Sequence, residues 1–404
     1  MGNFIVTVLD GFGVGYMPDA AEVRPADVGA NTFRHILDSV DSLSLPTLRS
    51  LGLMNIAGFE TPFMKYAPGA TFGKAALTHF GADTFWGHQE IMGTSPRRPF
   101  EQPFKVHIDE AAAALKNAGY TVEYYCGSRE KYLIVNNSLT VADNIECDPG
   151  QAVNITAAID DIPFDEVVKV GKIVRSIVKV SRVIAFGGSG VHIADILSAT
   201  EEKENGYIGV NAPASGVYNS NYHCVHLGYG VDPATQLPTI LDRHGIPTYL
   251  LGKVADIVHN PSPDNSFSIV PTAEVTDRLC SIASSSKQAF ICANIQETDL
   301  CGHRENPAEY YRILKIADEG LGRLVGLLRD DDILIVMADH GNDPTIGHPH
   351  HTREYVPLMI TGRGLKPGSI GIRATLSDVA ATAAEYFGCE MPENGSSFFK
   401  LLRD

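Results

Sequence analysis

The sequence predicts an α/β fold: a mostly parallel sheet flanked by helices, with a second, α+β domain inserted into it. Three observations carry this. After about residue 225, short apolar runs alternate with helical stretches, the rhythm of the strand–helix units that build a parallel sheet. The run Ile333-Leu-Ile-Val-Met-Ala338 is apolar throughout, as a strand buried on both faces requires, and stops abruptly at Asp339-His340-Gly341. Between Pro96-Arg97-Arg98-Pro99 and about residue 224 the rhythm is lost. The expected division is 1–97 with 225–404 for the core and 98–224 for the insertion.

Taken in order, Phe4 to Leu9 reads as a first buried strand ending in Asp10-Gly11-Phe12-Gly13-Val14-Gly15. The glycines follow G-x-G-x-G rather than the dinucleotide spacing, and Pro18 and Pro25 interrupt any helix after them. A carboxylate at a strand end before a tight glycine turn suits a metal ligand better. Asn31 to Ser39 and Leu45 to Leu51 read as short helices. Gly81-Ala82-Asp83-Thr84-Phe85-Trp86-Gly87-His88-Gln89-Glu90 is dense in functional groups and holds the only tryptophan. It reads as a loop entering a helix capped by Asp83 or Thr84, where the helix dipole favours an anion.

In the insertion, Glu110 to Gly119 is a helix, Thr121 to Tyr125 and Tyr132 to Val135 are strands, Phe164 to Val178 is a helix and Arg182 to Phe186 a strand. Glu201 to Tyr218 shows no periodicity, and Gly216 to Gly230 reads as the return linker. The core then resumes with helices at Thr235–His244, Thr272–Ser284, Pro307–Arg329 and Leu376–Phe387, and strands at Thr248–Leu251, Ala289–Ile295, Ile333–Met337 and Val356–Thr361.

Composition narrows the partners. With 32 Lys+Arg against 48 Asp+Glu the formal charge is -16, which repels a phosphate backbone and argues against nucleic acid. The seven cysteines are odd in number, widely spaced and without a C-x-x-C pair, as expected of reduced thiols in a cytoplasmic protein. The N-terminal apolar run is too short for a signal or a span, and Val6 breaks a myristoylation motif.

Ligands of open α/β sheets sit beyond the carboxyl ends of the strands. Three strand ends here each deliver acids or imidazoles: Asp10, Asp299 with His303 four residues on, and Asp339 with His340. His351 adds a third imidazole and Thr84 a hydroxyl. Three carboxylates and three imidazoles exceed the needs of one metal and suit two, an arrangement that clamps an in-line phosphoryl transfer. A threonine hydroxyl between two such ions would be an activated nucleophile.

The set Asp10-Gly-Phe-Gly-Val-Gly, Asp83-Thr84-x-x-Gly-His-x-Glu90, Gly252-Lys253-Val-Ala-Asp-Ile, Asp299-x-x-x-His303 and Ala338-Asp339-His340-Gly-Asn-Asp-Pro…His351-Thr-Arg-Glu resembles phosphopentomutase. More broadly it resembles the alkaline phosphatase superfamily, in which cofactor-independent phosphoglycerate mutase is a cousin. The similarity runs from Gly2 to the C-terminus, and within it the phosphopentomutase-like metalloenzymes of bacteria are nearest. It implies an alkaline-phosphatase-like core with an inserted cap. It also implies Asp10, Asp339 and His340 at one metal and Asp299, His303 and His351 at the other, with Thr84 as the bridging, phosphorylated nucleophile. The family prefers manganese; zinc and magnesium are the other candidates. Lys253 and Arg353 are expected to face the site and bind phosphate.

The chain also departs from the pattern. Phosphopentomutases have Lys where this chain has Ala82 and Trp where it has Gln89, and their Asp-to-His spacing is one residue longer than Asp299–His303. Their cap strand ends in an arginine that binds the pentose phosphate, with a basic pair further on. The matching strand here ends Ala185-Phe186-Gly187-Gly188, and a phenyl ring cannot replace a bidentate guanidinium–phosphate contact. Arg182 or Lys203 are the residues that could substitute. The expected function is a phosphomutase on a small phosphorylated sugar or metabolite. The alternatives are a phosphohydrolase or phosphodiesterase, and a metal-binding regulator without turnover, which the retained ligands and Thr84 disfavour.

Overall fold

The structure is a computed structural model that describes residues 1–147 and 149–403. The chain divides into two compact units, Met1–Pro96 with Asp232–Asp404, and Arg97–Val231.

The first unit is built on an eight-stranded sheet. Its strands run, in spatial order, Ser266–Phe267, Thr248–Leu251, Phe290–Ile295, Phe4–Leu9, Ile333–Met337, Val356–Gly362, Thr71–Ala75 and Gly368–Arg373. Val356–Gly362 is antiparallel to both its neighbours; every other pairing is parallel. Phe4–Leu9, Phe290–Ile295 and Ile333–Met337 are buried on every residue, which is why they read as apolar runs interrupted only at Thr7 and Asn294. Their register places Leu9 beside Ile295 and Val8 beside both Asn294 and Met337. The residues that follow these strands therefore emerge together at one end of the sheet.

Helices complete the core. Helix Asp378–Phe387 brings Tyr386 and Phe387 against Phe4, with ring centroids 5.5 and 6.4 Å away, and helix Pro307–Leu327 brings Tyr310 to Phe12 at 6.4 Å. Three strands of this sheet have no counterpart in the sequence reading: the two-residue Ser266–Phe267, Thr71–Ala75 and Gly368–Arg373. Thr71–Ala75 and Gly368–Arg373 carry lysine or exposed serine and glycine among few apolar residues, too weak a pattern to register as strands.

The second unit is α+β. Its sheet runs His223–Gly228, Arg182–Gly188, Ala152–Ala158, Leu139–Asp143, Lys131–Val135, Val122–Cys126, antiparallel except between Ala152–Ala158 and Arg182–Gly188. Val153, Ile155, Val183 and Ala185 pack with Val167, Val170 and Val174 of helix Phe164–Ile177 and with Ala111 and Leu115 of helix Ile108–Asn117. Strands Leu139–Asp143 and Ala152–Ala158 are fully buried yet rich in Ala, Thr and Asn, so their sequences carry neither alternation nor a strongly apolar run. The expected return at 224 falls inside strand His223–Gly228, which pairs with Arg182–Gly188; the unit boundary lies at 231.

Asp143 is buried at the end of its strand, where its carboxylate accepts the backbone N–H groups of Phe104 at 2.6 Å and Ile208 at 3.1 Å. Burial pushes its pKa up to about 6 despite those bonds. The folded state thus holds this proton more tightly than the unfolded chain does. Its contribution to stability is greatest below the unfolded-state value and is lost as pH rises toward the folded value, by about 3 kcal/mol in all. Chemical denaturation followed by circular dichroism should show this decline between about pH 4 and pH 6, and Asp143→Asn should remove that component.

Candidate metal centre

Asp10 follows strand Phe4–Leu9 directly, and Asp339 and His340 follow strand Ile333–Met337. Asp299 and His303 lie one turn apart on helix Glu297–His303, which begins two residues after strand Phe290–Ile295. The bridge between Gly341 and Thr352 folds the next loop back and returns His351 to the same place. The structure gathers these six residues into two groups, Asp10 with Asp339 and His340, and Asp299 with His303 and His351. Within each group the ligand-type atoms all lie within 4.8 Å of one another. The His340 and His351 rings stack at 3.9 Å, joining the two groups.

The imidazoles are oriented as metal ligands are. Each turns Nδ1 to a backbone carbonyl: His340 to Gly341 at 2.9 Å, His351 to Ala82 at 2.9 Å and His303 to Pro349 at 2.6 Å. An Nδ1–H donated to a carbonyl leaves Nε2 with its lone pair pointing inward. Nε2 of His303 and of His351 lie 3.0 Å apart, and Nε2 of His340 lies 3.4 Å from Asp10 Oδ1. Those last two atoms are buried and, among the described residues, have no hydrogen-bond partner. Lone pairs aimed at one another and at carboxylates are repulsive alone and are satisfied by a cation, so the residues fit divalent ions.

Among the described residues, Lys253 is the one ammonium in contact with both groups. Its Nζ lies 2.7 Å from Asp10 Oδ2, 3.1 Å from Asp299 Oδ2 and 3.4 Å from Thr84 Oγ1. Burial lowers its proton affinity, but Asp10, Asp299 and Asp339 outweigh that and raise it above the ordinary lysine value. Burial likewise opposes ionisation of Asp339, which charge on the His340 ring, when that ring is protonated, and hydrogen bonding from His88 reverse, holding the carboxyl well below its usual range. Asp299 is depressed in the same way by His351 and Lys253 against the effect of burial.

Thr84 opens helix Thr84–Ile91, with Asp83 as N-cap accepting the Trp86 N–H at 3.2 Å. Its hydroxyl donates to Asp339 Oδ2 at 2.8 Å. The helix comes this close because residue 87 is glycine: a Cβ there would lie 2.6 Å from the Asp339 carbonyl oxygen. Gly252 serves Lys253 similarly, with φ at +78° and a Cβ that would meet the Asn294 carbonyl at 2.4 Å.

Arg353 does not take the expected place. Its Nε and Nη2 bind Asp19 at 2.9 and 2.7 Å, Nη2 also donates to Leu77 O at 3.1 Å, and Nη1 donates to His79 O and Gly81 O at 2.8 and 2.7 Å. All five donors are used, so none is left for a phosphate. The residue instead clamps the backbone that leads into Thr84, and its hydrogen bond holds the Asp19 carboxyl below its usual value.

Other contributors were not singled out in the sequence. His88, Asn294 and Asn342 are buried at the centre, and Asn342 donates to Asp299 Oδ1 at 2.8 Å. Glu354 is buried behind them and accepts from Thr32, Thr352 and the Gly15 N–H. The available signal for Asn294 was an amide inside an otherwise apolar buried strand. For His88 it was the i+4 spacing from Thr84.

Residues 2–391 match the family described as the Metalloenzyme superfamily. Among curated proteins, a phosphopentomutase from Herpetosiphon aurantiacus is 31% identical over 98% of both chains. One from Desulfitobacterium hafniense is 30% identical over 100% of both. Among solved structures, phosphoglycerate mutase from Leishmania mexicana aligns at 15% identity with a TM-score of 0.44, over 98% of this chain and 97% of that one. The chain belongs to the metalloenzyme superfamily, among its phosphopentomutase-like members.

Two substitutions check this geometry. Gly87→Ala should force the Thr84 helix off Asp339, lowering activity by about 100-fold and stability by about 1–3 kcal/mol with the fold retained. Arg353→Ala should destabilise the protein by about 2–4 kcal/mol, by orphaning three buried carbonyls and freeing Asp19, with KM of the residual activity unchanged. A raised KM at unaltered stability would instead restore Arg353 to phosphate binding.

Proposed function

We propose that this metal-dependent phosphomutase transfers phosphate on a small phosphorylated sugar or metabolite through a phosphothreonine at Thr84. In this reading Asp10, Asp339 and His340 would hold one divalent ion and Asp299, His303 and His351 a second, with Thr84 as the nucleophile and manganese the first candidate. The observation that carries it is the convergence of three carboxylates and three inward Nε2 atoms on the space beside Thr84 Oγ1. Bound there, two ions would neutralise the acids and stabilise charge on a transferring phosphoryl group.

The chain's own residues set the rest. Asp339 Oδ2 holds the Thr84 hydroxyl in place and is positioned to receive its proton. Lys253 Nζ, beside Thr84 Oγ1, offsets the charge that phosphorylation adds. Phospho-Thr84 gives its phosphoryl group to a free substrate hydroxyl, forming a bisphosphate. The bisphosphate turns over and returns its other phosphate to Thr84. Seven cysteines, all as reduced thiols, fit a reducing, cytoplasmic setting, and among the described residues no helix is long and apolar enough to cross a membrane.

The substrate is proposed to be other than ribose 5-phosphate, or to be held in another pose. Phe186, in the position matched to the pentose-phosphate arginine, is buried beside Tyr218 and Tyr222, with ring centroids 6.0 and 6.2 Å away. Lys203 is paired with Glu201 at 2.6 Å. Loss of a charge-assisted phosphate contact costs on the order of 2–5 kcal/mol of binding. The same loss favours the second reading, a phosphohydrolase or phosphodiesterase in which water completes what Thr84 begins.

Elemental analysis of manganese-saturated protein should find two ions per chain, and Asp339→Ala should lose metal and activity together; one ion or fewer at saturation would sink the two-ion centre. After incubation with a sugar bisphosphate, mass spectrometry should find phosphate on Thr84. Thr84→Val should keep the metal and lose transfer by on the order of 1,000-fold or more. A screen of phosphometabolites reading both isomerised product and free phosphate separates mutase from hydrolase. Ribose 1-phosphate turnover of about 1–1,000 per second would show an ordinary phosphopentomutase.

A further inference from the structure

Behind Thr84 lies a buried chain of side chains that the phosphoryl-transfer reading does not use. Asn294 Nδ2 lies 3.0 Å from Asp10 Oδ2 and 2.9 Å from His88 Nε2. His88 Nδ1 lies 2.9 Å from the Thr84 carbonyl oxygen, 3.1 Å from Asp339 Oδ2 and 3.5 Å from Thr84 Oγ1. Both residues are fully buried. Four elements meet in this chain: the ends of strands Phe4–Leu9 and Ile333–Met337, strand Phe290–Ile295 and helix Thr84–Ile91.

The chemistry of the groups fixes the hydrogens. A carboxylate only accepts, so Asp10 holds the Asn294 amide with its N–H side inward. That amide therefore presents its second N–H to His88, whose Nε2 must accept. The hydrogen of a neutral imidazole then sits on Nδ1, aimed at Thr84 and Asp339. An Nε2–H tautomer would set two donors against each other at Asn294 and two acceptors against each other at the Thr84 carbonyl.

We propose that His88, with its tautomer set by Asn294 and Asp10, is a positioning residue for the Thr84 nucleophile. Its Nδ1–H pins the first turn of the helix and the Asp339 oxygen to which the hydroxyl donates. The hydroxyl then keeps one rotamer, with its lone pairs toward the half-buried side on which Lys253 lies. This rests on Thr84 being the phosphoryl acceptor, and it adds a residue that sets how Thr84 is held.

Variants that keep one half of the imidazole separate this from general packing. Asparagine places an N–H close to where Nδ1–H stands; glutamine reaches Asn294 and lacks that donor. His88→Gln should slow phosphorylation of Thr84 by about 100-fold, with KM and bound metal unchanged. His88→Asn should recover to within about tenfold of the native rate. Equal rates in the two variants, or losses that track metal content, would overturn the proposal. A readout without substitution is the ring 15N spectrum of native protein, stripped with EDTA and reloaded with magnesium. It should show the His88 ring hydrogen on Nδ1; hydrogen on Nε2 would also overturn it. If native protein takes up no phosphate on Thr84, the functional reading fails instead, and the ring spectrum still decides the tautomer.

Discussion

Three buried carboxylates at one end of one sheet are the constraint on which the rest of the molecule depends. Asp10, Asp299 and Asp339 follow three adjacent parallel strands and repel one another in a place where water cannot screen them. Everything nearby answers that repulsion. Lys253 reaches in between two of them, the imidazoles are tethered through Nδ1 so that Nε2 faces the acids, and Asn294 and Asn342 donate to carboxylate oxygens. The register of the strands is what makes the gathering possible. A slip of one residue would turn each side chain to the opposite face.

The sequence revealed what repeats a strong local pattern. Strands Phe4–Leu9, Thr248–Leu251 and Ile333–Met337 were read to the residue because each is an unbroken apolar or β-branched run with a sharp end. Five of the six candidate ligands were legible because each stands just past such an end or, like His303, one turn further on, whereas His351 returns on the loop closed by the Gly341–Thr352 bridge. What escaped was anything set by neighbours distant in sequence. Thr71–Ala75 and Gly368–Arg373 become strands because a sheet edge is available to them, and Leu139–Asp143 is a strand because two others sandwich it.

Arg353 and His88 show the same limit from opposite directions. Arginine two residues past a ligand reads as a phosphate contact, and only the positions of Leu77, His79 and Gly81 reveal that its donors are spent on backbone. Histidine four residues past a nucleophile reads as one polar residue among several. Its partners, Asn294 and Asp339, lie far from it in sequence and are brought to it by the sheet. In both, the side chain's use is decided by which acceptors the fold leaves within about 3 Å.

Trp86 is the only indole in 404 residues, and it is buried two positions after Thr84, edge-on to Phe85 at 5.6 Å. Its emission therefore reports on a single helix rather than on an average over the molecule. Tryptophan emission will be sensitive to events at the nucleophile, and residues 97–231, which contain tyrosine but no tryptophan, contribute none of it. The optical signal of this protein is, by accident of composition, an instrument trained on its own site.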